Sequence, residues 1–137
     1  MGRDEMKIAI GIGCRKGCSS EAIVALVRRA LERAGFDGAQ REDTTAAIFT
    51  HQAKRIEAGL FAAAAELALP LVFLDEESLR AAAPRAASKS EKVMALFDLP
   101  SIAETAALAG AGAGATLLAP RISAAGVSCA IAKGAAP

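Results

Sequence analysis

With 137 residues, 53% of them apolar, the chain has room for one compact domain with a real core and little room for a second. Sixteen basic residues against fifteen acidic ones leave a formal net charge of +1, which argues against a nucleic-acid binder held by a broad basic surface. No apolar run reaches the roughly 18–20 residues that would span a bilayer, and the charged start at 1–7 does not read as a secretory leader, so a cytoplasmic protein is expected. Much of the apolar stock is alanine, with five Phe and no Trp or Tyr, so a ligand stacked between aromatic plates is not expected. Cys14, Cys18 and Cys129 form no CxxC pair and His51 stands alone, which points to free thiols and to neither a metal centre nor a cofactor.

KIAIGI at 7–12 predicts a short strand ending in glycines. After a Gly- and Ser-rich loop, Ile23, Leu26, Val27, Ala30 and Leu31 predict a helix over 21–34. Ser19 or Ser20 suits its N-cap, Glu21 its positive end and Gly35 its C′ position. A second strand is expected at 46–50, then a helix over 53–67 that buries Ile56, Leu60, Ala63 and Leu67. Past Pro70 a third strand covers 71–74, and Asp75 caps a short helix over 76–83 that Pro84 stops. Helices at 88–97 and 101–109 are each opened by a capping box, Ser88 with Glu91 and Ser101 with Glu104. The glycine-rich run 110–114 ends the last helix. Strands at 115–118 and 127–132, joined through Pro120 and Gly126, then close the chain as an antiparallel hairpin. This order predicts an α/β fold over 1–137: a single layered α/β/α domain with a mixed, mainly parallel sheet and a C-terminal strand hairpin.

The segment 11–20 carries the most chemistry. Gly11, Gly13 and Gly17 let backbone approach a ligand, Arg15 and Lys16 add charge, and the helix start offers unpaired amides to an anion. A tight turn with solvated Arg and Lys is the alternative; the segment is neither a Walker loop nor a GxGxxG fingerprint. Lys54 and Glu57, three apart, are expected to share one helix face, as a candidate catalytic pair or as a surface ion pair. Gly59, in mid-helix, marks a close approach of backbone or ligand. Glu104 is acid or base by type, but its place in a capping box already accounts for it. Arg15 and Lys16 could lower the pKa of the flanking Cys14 and Cys18 thiols, yet no base is paired with either.

Four ordered motifs then stand together. They are Gly11-Ile-Gly-Cys-Arg-Lys-Gly17 with Ser19 and Ser20, Lys54-x-x-Glu57-x-Gly59-Leu60, Ser101-Ile-Ala-Glu104-Thr-Ala-Ala-Leu108, and Val127-Ser-Cys-Ala-Ile-Ala132. As a set covering nearly the whole chain, they resemble the family formed by CobE proteins and the C-terminal domain of CbiG, the cobalt-precorrin 5A hydrolase. The resemblance implies work in cobalamin biosynthesis, on the way to the corrin ring. Its CbiG side implies a tetrapyrrole lactone opened with loss of a two-carbon fragment; its CobE side implies the stand-alone domain of the aerobic route. Arg121 stands where a lysine is usual and Ser128 where a threonine is usual, and Arg and Lys are not interchangeable at a close contact.

Corrin precursors carry carboxylates around a flat macrocycle. The expected substrate-binding residues are therefore Gly11, Gly13, Cys14, Arg15, Lys16, Gly17, Ser19, Ser20, Glu104, Arg121 and Ser128, with Lys54 and Glu57 as candidate catalysts. Lys54 and Arg121 join the carboxylate-binding set if the fold brings them to the same edge. Two functions stay open: a binding, carrier or accessory module for a precorrin, and a hydrolase or lyase opening its lactone. The absence of a triad, a metal site or paired carboxylates favours the binder. Expected partners are a precorrin intermediate and other cobalamin-pathway enzymes, with no nucleic acid and no membrane.

Overall fold

A computed structural model describes residues 6–36, 44–87, 94 and 101–134. In chain order these form β1 (Met6–Cys14), α1 (Ser20–Arg33), β2 (Thr44–His51), a 3-10 turn (Gln52–Ile56), α2 (Ala58–Leu67) and β3 (Leu71–Leu74). Then come α3 (Glu76–Ala82) with a 3-10 turn (Ala83–Arg85), α4 (Ile102–Ala111), β4 (Thr116–Ala124) and β5 (Val127–Lys133). The helix expected at 88–97 lies outside the described residues, Met94 apart. Among the described residues no helix is long and apolar enough to cross a membrane.

The sheet order is β3-β2-β1-β5-β4. β1, β2 and β3 pair in parallel, and β5 runs antiparallel to both β1 and β4. Four strands thus point one way and β5 alone runs against them, in agreement with the expected mixed, mainly parallel sheet and closing hairpin. The connection between β4 and β5 is only Ala125 and Gly126, both at positive φ (54° and 82°), as a two-residue hairpin turn requires. Pro120 is not in that connection, as the sequence suggested, but inside β4. It sits on the sheet edge beside a register shift, where a missing N–H costs no ladder bond.

Alternation in β1 sorts side chains by size. Ile8, Ile10 and Ile12 meet Ile23, Leu26 and Val27 of α1 and Leu60 and Ala63 of α2 on one face. On the other, Ala9, Ala130 and Ala132 meet Ala103, Ala106 and Ala107 of α4, with Phe49 and Leu79 alongside. The alanines are therefore concentrated under one helix, which small residues let approach the sheet. A Cβ on Gly11 would overlap the Ala103 carbonyl oxygen, so this glycine serves helix-on-strand packing.

The single helix expected over 53–67 is broken. His51 Nδ1 accepts the Ala53 N–H at 2.9 Å and so caps a separate 3-10 turn. Glu57 is extended (φ −86°, ψ 103°), and α2 begins only at Ala58. Ile56, expected in the core, is 78% exposed. Lys54 and Glu57 consequently do not share a helix face. Gly59 stands in the first turn of α2, where a Cβ would overlap the Cys18 carbonyl oxygen; its expected close approach is to backbone.

Candidate functional site

The C-terminal ends of β1, β2 and β4 reach the same edge of the sheet, and the N-terminus of α4 joins them there. Crevices at that edge are where open α/β sheets bind ligands. Here the crevice is a cleft of about 740 Å³, lined by residues 13–16, His51, Lys54, 101–103, Arg121 and 123–128. Arg15, Lys16, Lys54 and Arg121 are among the lining residues, and among the described residues no carboxylate is. A concave surface of one sign concentrates its field and draws oppositely charged ligands. The condition set for Lys54 and Arg121, that the fold bring them to the edge of the glycine loop, is thus met.

The loop after β1 is fastened at both ends. The Arg15 N–H donates to the Gly126 carbonyl at 2.9 Å, and the Cys18 thiol donates to the same oxygen at 3.3 Å, so both ends of the loop are tied to the hairpin tip. Gly17, at φ 82°, donates its N–H to Glu57 Oε1 at 2.8 Å. The amide that the sequence offers to an external anion is therefore held by the chain's own carboxylate, and Glu57 is 7% exposed. Ser19 is the N-cap of α1, its Oγ accepting the Ala22 N–H at 3.1 Å, and Ser20 is the first helical residue. Gly11, Gly17, Ser19, Ser20 and Glu57 are not among the residues lining the cleft, whereas Gly13, Cys14, Arg15, Lys16 and Ser128 are.

Cys14 ends β1 opposite Val127. Burial pushes its thiol up to about 11, outweighing the nearby Lys54 ammonium that pulls it down. At Cys14 the lowering that Arg15 and Lys16 could give is not seen; both side chains stand exposed to solvent. A thiol of that kind is protonated near neutrality and is no activated nucleophile.

At the far wall, Ser101 Oγ accepts the Glu104 N–H at 3.3 Å and caps α4, as its spacing predicts. The Glu104 carboxylate is fully buried, and Oε2 accepts the backbone N–H of Arg121 on β4 at 2.9 Å. A capping box alone does not account for a side chain that reaches across to another strand. Above it, Ser123 and Ser128 pair through their hydroxyls at 2.8 Å on the cleft's rim.

His51 was set aside in the sequence for want of a partner ligand, yet it lines the cleft at 5% exposure. Its Nε2 lies 3.7 Å from Glu76 Oε1. The available signal was its place at the C-terminal end of a parallel strand, the edge where such sheets bind ligands. Ser123 and residues 124–126 were also missed, since only the pairing of β5 with β1 folds the hairpin tip over the loop.

Residues 8–132 match the family described as Cobalamin synthesis G C-terminus. The chain is 34% identical over 125 residues to protein CobE of a Sinorhizobium species, covering 91% of this chain and 79% of that protein. It is similar to the crystal structure of CobE, a protein from the cobalamin biosynthetic pathway, with TM-score 0.87 and 34% identity over 100% of this chain and 97% of that one. The cobalamin biosynthesis protein chiG of Agrobacterium tumefaciens superposes with TM-score 0.67 at 38% identity, over 93% of this chain and 98% of that one. A cobalamin biosynthesis protein G homolog from Sulfolobus solfataricus shares the fold, with TM-score 0.69 at 23% identity over 95% of this chain and 37% of its own length.

Proposed function

The chain belongs to the cobalamin synthesis G C-terminal family of cobalamin biosynthesis proteins, and we propose that it binds a precorrin-type tetrapyrrole as a carrier or accessory module. In this reading the ligand's peripheral carboxylates meet the cationic cleft at the C-terminal edge of the sheet. One observation carries it: Arg15, Lys16, Lys54 and Arg121, drawn from three separate parts of the chain, line one cleft in which, among the described residues, no carboxylate lines the surface. The volume of about 740 Å³ falls in the range of roughly 300–1,000 Å³ that small-molecule sites occupy. The ring would rest against the small side chains of Gly13, Ala103 and Val127 rather than between aromatic plates.

The carrier role is favoured over hydrolysis by what surrounds the cleft. Glu57 and Glu104 each hold a backbone N–H and lie behind the lining surface, and the Cys14 thiol is held protonated. A general acid or base must reach the proton it moves. The test is an absorbance titration of the purified chain with a panel of corrin intermediates and with cobyrinic acid, a corrin bearing free carboxylates on its rim. A stoichiometric complex is expected, weakened by added salt because partly exposed charges are screened over about 8–10 Å. Arg15→Ala and Lys16→Ala should weaken it without unfolding the chain, and the pigment should be recovered unchanged. Normal binding by both variants places the ligand elsewhere. Conversion of excess pigment by substoichiometric protein, with a two-carbon product and loss of turnover in Glu57→Gln, makes the chain a hydrolase instead.

A further inference from the structure

Glu104 is a carboxylate with no exposed surface, in a chain that otherwise packs this region with alanine. Burying such a group is costly unless its hydrogen bonds are met. Two features offset that cost. Glu104 is the third residue of the first turn of α4, after the Ser101 cap, where the helix dipole favours negative charge. Its Oε2 also accepts the N–H of Arg121 at 2.9 Å, from a strand 17 residues further on.

That amide is available for a reason. On β4, Ala119 pairs with Ile131 and Ile122 with Cys129, so a step of three residues meets a step of two and β4 carries one extra residue here, directly after another register shift at Leu117/Ala119. The bulge contains Pro120, which has no N–H, and Arg121, whose N–H turns to Glu104. Bulges bend an edge strand and re-aim the side chains they carry. Arg121 is the cation that this bulge delivers to the cleft. A hydrogen bond to an ionised acceptor is about twice as strong as a neutral one, so the carboxylate is well suited to hold the bulge in one conformation.

We infer that Glu104 is a positioning residue of the cleft, whose buried carboxylate clamps the β4 bulge and thereby aims the Arg121 guanidinium at a carboxylate of the ligand. This rests on the reading of the cleft as a tetrapyrrole site. The residue acts through Arg121 and touches no ligand itself, which separates it from a cap of α4 and from an acid or base.

A double-mutant cycle with cobyrinic acid as probe tests it, read by absorbance titration at several salt concentrations. Glu104→Ala and Arg121→Ala should each weaken binding about tenfold, and the double variant should be no weaker than Arg121→Ala alone, as groups acting in series are not additive. Glu104→Ala should also flatten the salt dependence to that of Arg121→Ala, whereas Glu104→Gln, which keeps an acceptor oxygen, should bind nearly as the parent does. If Glu104→Ala does not fold, Glu104→Met fills a similar volume without an acceptor and replaces it in the cycle. The Arg121 amide of the parent protein provides an independent reading and should exchange with solvent as slowly as the amides of the central strands. Additive losses, an unaltered salt dependence in Glu104→Ala, or a fast-exchanging Arg121 amide each overturn the inference while leaving the tetrapyrrole site intact. A parent chain that binds no tetrapyrrole overturns both.

Discussion

Removing the Glu57 carboxylate tests whether this residue is a fastener or a catalyst. In Glu57→Ala one charge-assisted hydrogen bond is lost, the 2.8 Å bond from the Gly17 N–H. Such bonds contribute about 1.5–3 kcal/mol. The lower half of that range applies, because Gly17 is exposed and water can take over its amide. A loss of about 1.5–2 kcal/mol lowers the unfolding temperature of a domain of this size by about 5–8 °C. Glu57→Gln keeps an acceptor oxygen and should lose roughly half as much, since a neutral hydrogen bond contributes about 0.5–1.5 kcal/mol. Thermal unfolding followed by circular dichroism reads both variants, and titration with cobyrinic acid reads the loop: binding should weaken with Glu57→Ala, because Lys16 loses the anchor of its neighbour. An unchanged unfolding temperature in Glu57→Ala refutes the fastening argument. A catalyst would show the reverse pattern, with stability and binding kept in Glu57→Gln and turnover lost.

Gly59→Ala should destabilise the fold by about 1–3 kcal/mol from overpacking, although alanine is the better helix former by about 1 kcal/mol, since the new Cβ meets the Cys18 carbonyl oxygen; a urea midpoint that rises would refute that contact. Ser101→Ala should cost about 1 kcal/mol through the lost cap, and an unmoved midpoint would mean that the α4 amides are satisfied without it. Burial raises the thiol of Cys14 from 9.0 to about 11 and that of Cys129 to about 12. The folded state thus holds these protons more tightly than the unfolded chain. The stability that they contribute is full below about pH 9 and is lost as pH rises through the folded values. The unfolding temperature should therefore fall on going from pH 9 to pH 11, less steeply in Cys129→Ala, and a flat profile in the parent protein would contradict the burial argument.

The elements that were legible are those whose cause is local. Ile8, Ile10 and Ile12 alternate along β1, Ile23, Leu26, Val27 and Ala30 recur at helical spacing in α1, and Ser19, Asp75 and Ser101 each cap the helix they precede. Where the cause lies far along the chain, the sequence misleads. Glu57 leaves the expected helix for an amide 40 residues earlier, and Gly11 answers to the backbone of α4 more than 90 residues later. The cations of the site were readable as residue types, but their convergence depends on β5 inserting between β1 and β4. Glu104 was accounted for too early, because a capping box and a cross-strand clamp share the same local sequence. His51 has no metal-type spacing to mark it in the sequence; what brings it to the cleft is its place at the end of β2.

In the proposed reading of the cleft as a site for a polycarboxylate, the placement of the two buried glutamates follows from what such a site must do when empty. Four cations around one cleft repel one another, the more so where the walls exclude solvent. Carboxylates on the lining surface would relieve that repulsion but would also repel an incoming polycarboxylate. Glu57 and Glu104 stand behind the surface, each bonded to a backbone amide of a segment that carries cleft cations: Gly17 beside Lys16, and Arg121 itself. There they offset part of the repulsion and fix the cationic segments, while the charged side chains among the described lining residues are all cationic. An acid or base for lactone opening has the opposite requirement, because it must face the reacting atoms. Geometry that suits the first task is poor for the second, and this is the physical ground for reading the two residues as supports of a binding cleft.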